Sequence, residues 1–148
     1  MADLMTETPI DPADGWVADH VRRYVQSGGT EGHIWHEGVP TLLLTTRGKT
    51  TGQARRTALI YAKDGDNYVV TASYGGSPTH PDWYLNLAAD AEVVLQVGEK
   101  RFRARAARDT PENRQRLWAL VTAVWPDYDR YAIKTTREIP LVVFTPYD

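Results

Sequence analysis

Arg47, Lys49, Arg55 and Arg56 crowd into one short stretch, Thr45 to Thr57, that holds no acid and two glycines, Gly48 and Gly52. Thr50, Thr51 and Thr57 add hydroxyls. Guanidinium forks grip phosphate or carboxylate oxygens in pairs, and glycine lets backbone N–H groups approach closely. The stretch is therefore suited to a multiply charged anion, such as the acidic tail of a cofactor whose ring the rest of the chain would house. Gly48-Lys49-Thr50 looks like the end of a P-loop. That pattern needs a glycine five positions before Gly48, where Leu43 stands, and a helix afterwards, where strand-like residues follow instead.

Other chemistry is thin. The chain has no cysteine, which excludes disulfides, thiol catalysis and thiolate metal sites. There is no Gly-x-Ser-x-Gly elbow, and no histidine in a triad context. His33, His36 and Glu37 invite a metal reading, but no third ligand is placed by sequence and no helix aligns them, so no metal site is expected. Arg101, Arg103 and Arg105 alternate with Phe102, Ala104 and Ala106, which reads as a strand with one core face and one solvated basic face. At a net charge of −2 no nucleic-acid partner is expected. The cations, two glycine-rich loops and many aromatics (five Trp and eight Tyr) are binding chemistry. They suit a protein whose cofactor performs the hard step.

These residues need a frame. Residues 1–13, with Pro9 and Pro12, read as a flexible arm, and 14–148 as one domain. A helix from about Trp16 to Gln26, capped by Asp14 and ended by Gly28-Gly29, carries Val17, Val21, Tyr24 and Val25 on one face. Strands are expected over 41–46, 57–63, 68–72, 92–97, 100–106 and 139–144, with a hairpin turn at Asp64-Gly65-Asp66-Asn67. Short helices follow Pro81 and fall near 127–131, and a longer one begins at Pro111 behind Thr110. Six strands without regular strand–helix alternation predict a mainly β, α+β fold: an antiparallel barrel with helices attached. No apolar run reaches the roughly 20 residues of a membrane span, and the N-terminus lacks the order of a signal peptide. A cytoplasmic protein is expected. Trp16, His20, Arg22 and Arg23 allow the first helix a contact with substrate or a weak, peripheral contact with a membrane surface. Nothing in the sequence sets an oligomeric state.

The string Thr45-Thr46-Arg47-Gly48-Lys49-Thr50-Thr51-Gly52-Gln53-Ala54-Arg55 resembles the basic loop of the deazaflavin-dependent nitroreductase family. The strand with Leu59 and Tyr61, the Ser73-x-Gly75-Gly76 loop and the His80-Pro81-x-Trp83-Tyr84-x-Asn86-Leu87 box follow at the family's spacing. So do Trp125-Pro126-x-Tyr128-x-x-Tyr131 and Arg137-x-Ile139-Pro140. The chain departs from the pattern at Trp125, often Tyr; at Ala54, frequently Pro; and at Asp90-Ala91, frequently Asn-Pro.

The resemblance implies a split antiparallel barrel like the FMN-binding split barrels. It implies coenzyme F-420, a deazaflavin with a phospholactyl-polyglutamate tail, and hydride transfer to a small electron-poor enone, quinone or nitroaromatic. It assigns the phosphate and tail acids to Lys49, Arg55 and Arg56, with Arg47 beside them, and counts Gly48, Thr50, Thr51, Gly52 and Thr57 as further cofactor-binding residues. Backbone groups of Ser73, Tyr74, Gly75 and Gly76 would meet the ring edge, with Pro81, Asp82, Trp83 and Asn86 walling the site and Tyr61 a further cofactor-binding residue. Ser73, Tyr128 and Tyr131 are the expected catalytic donors. Two alternatives stand beside this reading: an FMN-dependent split-barrel oxidoreductase, and a non-catalytic deazaflavin-binding protein.

Overall fold

The Leu42-Leu43-Leu44 run is buried on both faces, and this sets the architecture. In the computed structural model, which describes residues 3–35 and 38–147, β1 (Thr41–Arg47) lies between a barrel interior and a helix. Leu42 and Leu44 point inward with Val70, Val93, Leu95, Ala104, Val142 and Phe144. Leu43 points outward onto Val21 and Tyr24 of α1 (Gly15–Gln26). A strand covered on both sides has no reason to alternate, so the run is continuous.

β2 (Ala54–Ile60), β3 (Ala62–Asp64), β4 (Asn67–Thr71), β5 (Glu92–Val97), β6 (Lys100–Arg108) and β7 (Leu141–Tyr147) complete one antiparallel sheet in the order β2-β1-β5-β6-β7-β4-β3. The two edge strands, β2 and β3, are consecutive in the chain and separated only by Tyr61. The sheet must therefore curl until its ends meet, leaving a split beside β2 where no ladder closes it. The observed seven strands exceed the expected six because the run over 57–63 breaks at Tyr61. There the N–H of Tyr61 donates to Pro40 O (3.2 Å), and its hydroxyl meets His33 Nε2 (2.9 Å).

α2 (Asp82–Ala89), α3 (Arg114–Val124) and α4 (Asp127–Lys134) pack around the barrel. Leu117 and Val121 of α3 cover Val69 and Leu141, the outward residues of β4 and β7. Thr110 and Asn113 bond reciprocally before α3, Thr110 N–H to Asn113 Oδ1 (2.7 Å) and Asn113 N–H to Thr110 Oγ1 (3.3 Å), so the half-formed capping box closes with Asn. Asp14 sits at the start of α1 without a side-chain cap bond, and Val25 is exposed, leaving Ala18, Val21 and Tyr24 as the buried stripe.

The first residues differ from the loose arm expected of them. Leu4 is buried against Ala54 and Val94. Arg101 donates to Met5 O (2.5 Å), and Arg103 pairs with Asp3. The basic face of β6 is thus partly covered by the N-terminal segment rather than wholly solvated, because that segment brings the carbonyls and carboxylate that satisfy it. No described helix is long and apolar enough to cross a membrane.

Candidate active site

A cavity of about 690 Å3 fills the split, within the range of small-molecule sites. Every residue from Arg55 to Ile60 borders it, as expected of a space running along the edge of β2 rather than across one face. The register Thr45↔Arg56 and Thr41↔Ile60 places Arg55 and Arg56 at one end, with Ile60 roughly 15 Å away at the other.

At the first end, Arg55 is exposed and Arg56 half-buried, and Thr57 follows them along the wall. The hairpin before them does not border the cavity. Gly48 N–H donates to Gln53 O (2.7 Å), Gly52 N–H to Gly48 O (2.9 Å) and Lys49 N–H to Asn86 Oδ1 (2.9 Å). Gly48, Lys49, Thr50, Thr51 and Gly52 therefore shape a closed hairpin, with Lys49 exposed beyond the cavity rim. Arg47 also lies off the cavity and donates to Glu7 Oε2 and Gly52 O, both at 2.8 Å. Asn86, buried on α2, donates from Nδ2 to Thr46 Oγ1 (3.2 Å) and so ties helix, strand and hairpin together.

The middle is the turn after β4. Tyr74 holds φ +47°, the one non-glycine residue with positive φ among those described, followed by Gly75 and Gly76 at +63° and +84°. Such a conformation for a bulky residue persists only when its surroundings impose it. Arg137 imposes it. Its guanidinium donates to Ser73 O (2.8 Å), Ser77 O (2.8 Å) and Ala72 O (3.2 Å), and meets His80 Nδ1 (3.1 Å). Among the described residues no carboxylate pairs with Arg137, so its charge is directed wholly at this turn. Burial and the Arg137 charge lower the His80 pKa, which favours a neutral ring. A Cβ on Gly76 would lie 2.8 Å from Tyr131 O, so glycine there lets α4 sit directly on the turn. Gly76 lies behind the cavity, whereas Ser73, Tyr74, Gly75, Pro81, Asp82, Trp83 and Asn86 border it.

The far end is aromatic. Trp16 of α1 stacks on Trp35 (5.2 Å, 10°), and Trp35 packs on Trp125 (5.6 Å). Tyr128 and Tyr131 meet edge to face at 6.2 Å and border the same space. Trp125 Nε1 donates to the Tyr131 hydroxyl (3.4 Å), leaving that hydroxyl's own proton free for another partner. Burial pushes the Tyr128 hydroxyl above the ordinary phenol value, so it stays protonated. Thr71 Oγ1, buried beside the cavity, opposes that rise from close to the hydroxyl, although the two make no hydrogen bond of good geometry.

Of the remaining expected residues, Tyr61 packs in the core against Tyr68 and stacks on His33, away from the cavity. His36 and Glu37 lie outside the described residues. Sequence reasoning missed Asp11, Trp35 and Thr71 as residues lining the cavity, and placed Trp16 on a helix that could touch membrane or substrate without assigning it to the cofactor site. An exposed tryptophan opposite a helix's buried stripe was the available signal for Trp16; an isolated acid between prolines gave none for Asp11.

Cations at one end, a polarised turn and an aromatic end fit a planar ring carrying an anionic tail. Fold and site together define a split-barrel oxidoreductase built around such a cofactor. The chain belongs to the F420H(2)-dependent quinone reductase family, whose model matches residues 16–146. It is similar to an F420H(2)-dependent quinone reductase of Mycobacterium tuberculosis, 44% identical over 123 residues that cover 79% of this chain and 83% of the relative. Among solved structures, an F420-H2 dependent reductase (FDR-A) is 35% identical, with a TM-score of 0.66 over 71% of this chain and 93% of that one. A chain described as a domain-swapped dimer is 34% identical, with a TM-score of 0.69 over 87% of this chain and 96% of that one. The protein is an oxidoreductase that uses reduced coenzyme F-420 and acts on quinone-type acceptors; this decides against FMN and against a carrier without activity.

Proposed function

We propose that coenzyme F-420 lies along β2, its acidic tail at the Arg55 and Arg56 side chains, its ring against the Ser73–Gly75 turn, and the quinone at the aromatic end. The observation that carries this reading is the polarity of one continuous cavity: guanidinium groups at one end, three indoles and two phenols at the other. The bound coenzyme supplies the hydride. The chain's own residues bind, orient and donate. Arg55 and Arg56 hold the first acids of the tail, and Lys49, beyond the rim, meets those farther along. Arg47, Gly48, Thr50, Thr51 and Gly52 act through the hairpin that presents those cations. Pro81, Asp82, Trp83 and Asn86 wall the middle.

Reduction of a quinone places negative charge on its oxygen. The Tyr128 and Tyr131 hydroxyls, and Ser73 at the turn, are neutral donors bordering the space where that charge develops, and a preorganised donor there lowers the barrier. Tyr61 and Gly76 support this arrangement from behind. Titration of oxidised coenzyme, followed by its fluorescence, and quinone-dependent oxidation of the reduced coenzyme test the proposal. Micromolar binding and turnover are expected. No binding in the micromolar range overturns the cavity assignment.

A further inference from the structure

The N-terminal segment places carboxylates on two cations of the basic stretch. Ile10 forms a parallel bridge with Arg55: Ile10 N–H donates to Ala54 O (2.8 Å), and Ile10 O accepts from Arg56 N–H (2.9 Å). That register sets Asp11 beside Arg56, whose Nε and Nη2 donate to Oδ1 and Oδ2 at 2.6 and 2.8 Å. This two-point grip is the one a guanidinium gives a bound carboxylate or phosphate. The Arg56 side chain is 14% exposed and that of Asp11 38%, and both border the cavity. Glu7 makes a comparable pair with Arg47, but outside the cavity, where it also accepts the Ala54 N–H (3.3 Å) and closes the hairpin.

We propose, resting on the function given above, that Asp11 is a specificity-determining residue for the coenzyme's tail. It occupies the Arg56 fork as an internal anion, and an acid of the tail reaches that fork only by exchanging with it. The segment does not need to unseat for this. Leu4, the Arg101 contact to Met5 and the Asp3–Arg103 pair hold it upstream, and the Ile10 bridge holds it directly before Asp11. A ligand without a strong anion at this end gains nothing from Arg56. A multiply charged tail displaces the carboxylate with the help of its neighbouring charges. Because one carboxylate replaces another, binding depends less steeply on salt than capture by a bare cation would.

Wild type, Asp11→Asn and Asp11→Glu are titrated with coenzyme F-420 and with the same deazaflavin ring lacking phosphate and glutamates, at low and high salt. Asp11→Asn should bind the full coenzyme about fivefold more tightly, the scale of one exposed ion pair. It should leave the tail-less ring unchanged and make the salt dependence steeper, while Asp11→Glu restores wild-type affinity. Unchanged or weaker binding of the full coenzyme by Asp11→Asn overturns the inference, as does an equal change for the tail-less ring. A wild type that binds neither compound removes the proposed function and this inference together. A wild type that binds the coenzyme and is indifferent to Asp11→Asn removes this inference alone.

Discussion

The two ends of the cavity are built by opposite means. The cations of one end are neighbours in the chain: Arg55, Arg56 and Thr57 are consecutive on β2, behind a hairpin closed by its own hydrogen bonds together with Glu7 and Asn86. The aromatic end is assembled from distant segments, with Trp16 from α1, Trp35 from the loop before β1, Trp125 from the end of α3, and Tyr128 and Tyr131 from α4. Charge acts over several ångströms and tolerates imprecise placement, so a few consecutive residues can supply it. Stacking and proton donation need side chains held to within a fraction of an ångström, which packed helices provide. The turn between the ends is where both meet: Arg137 places positive charge behind three carbonyls and also fixes the strained Tyr74 conformation.

Three variants test whether the ends are separable. The largest effect is expected from Arg55→Ala with Arg56→Ala, which removes two charge-assisted grips and should weaken coenzyme binding by at least about a hundredfold. Turnover at saturating coenzyme should survive; a double variant with wild-type affinity would move the tail elsewhere. Tyr128→Phe should act the other way, lowering kcat by about tenfold with coenzyme affinity within about twofold, the size of one lost donor to developing charge. Its pH dependence sharpens this. With its pKa raised by burial, Tyr128 remains in the donor form past 10.0, the ordinary value for the group, so the wild-type kcat profile should show no alkaline loss from this residue below that pH. A loss near neutral pH that disappears in Tyr128→Phe contradicts the environment described for it. The smallest effect is expected for Trp16→Ala. It removes the outermost indole, 64% exposed, and should raise the quinone KM about threefold while leaving coenzyme affinity unchanged. If coenzyme affinity falls instead, the indoles face the ring rather than the acceptor.

The difference between the ends also explains what could be read in advance. The basic stretch is visible in sequence because its residues are neighbours, and the strand run beginning at Thr57 placed Arg55 and Arg56 next to a sheet. The barrel was legible from alternation in β6 and the continuous run in β1, since burial on one or two faces leaves a direct mark on the pattern. The break at Tyr61 was not, because there the backbone N–H turns to Pro40 and the hydroxyl to His33, both far away in the chain. The covering of Arg101 and Arg103 was equally hidden, as it depends on where a proline-bounded segment comes to lie.

By itself the sequence determined the fold class, the presence of a local cationic stretch and the family pattern that the matched model bears out, because propensity, periodicity and charge are properties of neighbours. Only the tertiary structure decided which cations face the cavity, that Glu7 and Asp11 already hold two of them, and that three tryptophans meet opposite. Those contacts join residues far apart in the chain. Their geometry is set by how the sheet curls and where the helices land on it, which no local spacing records.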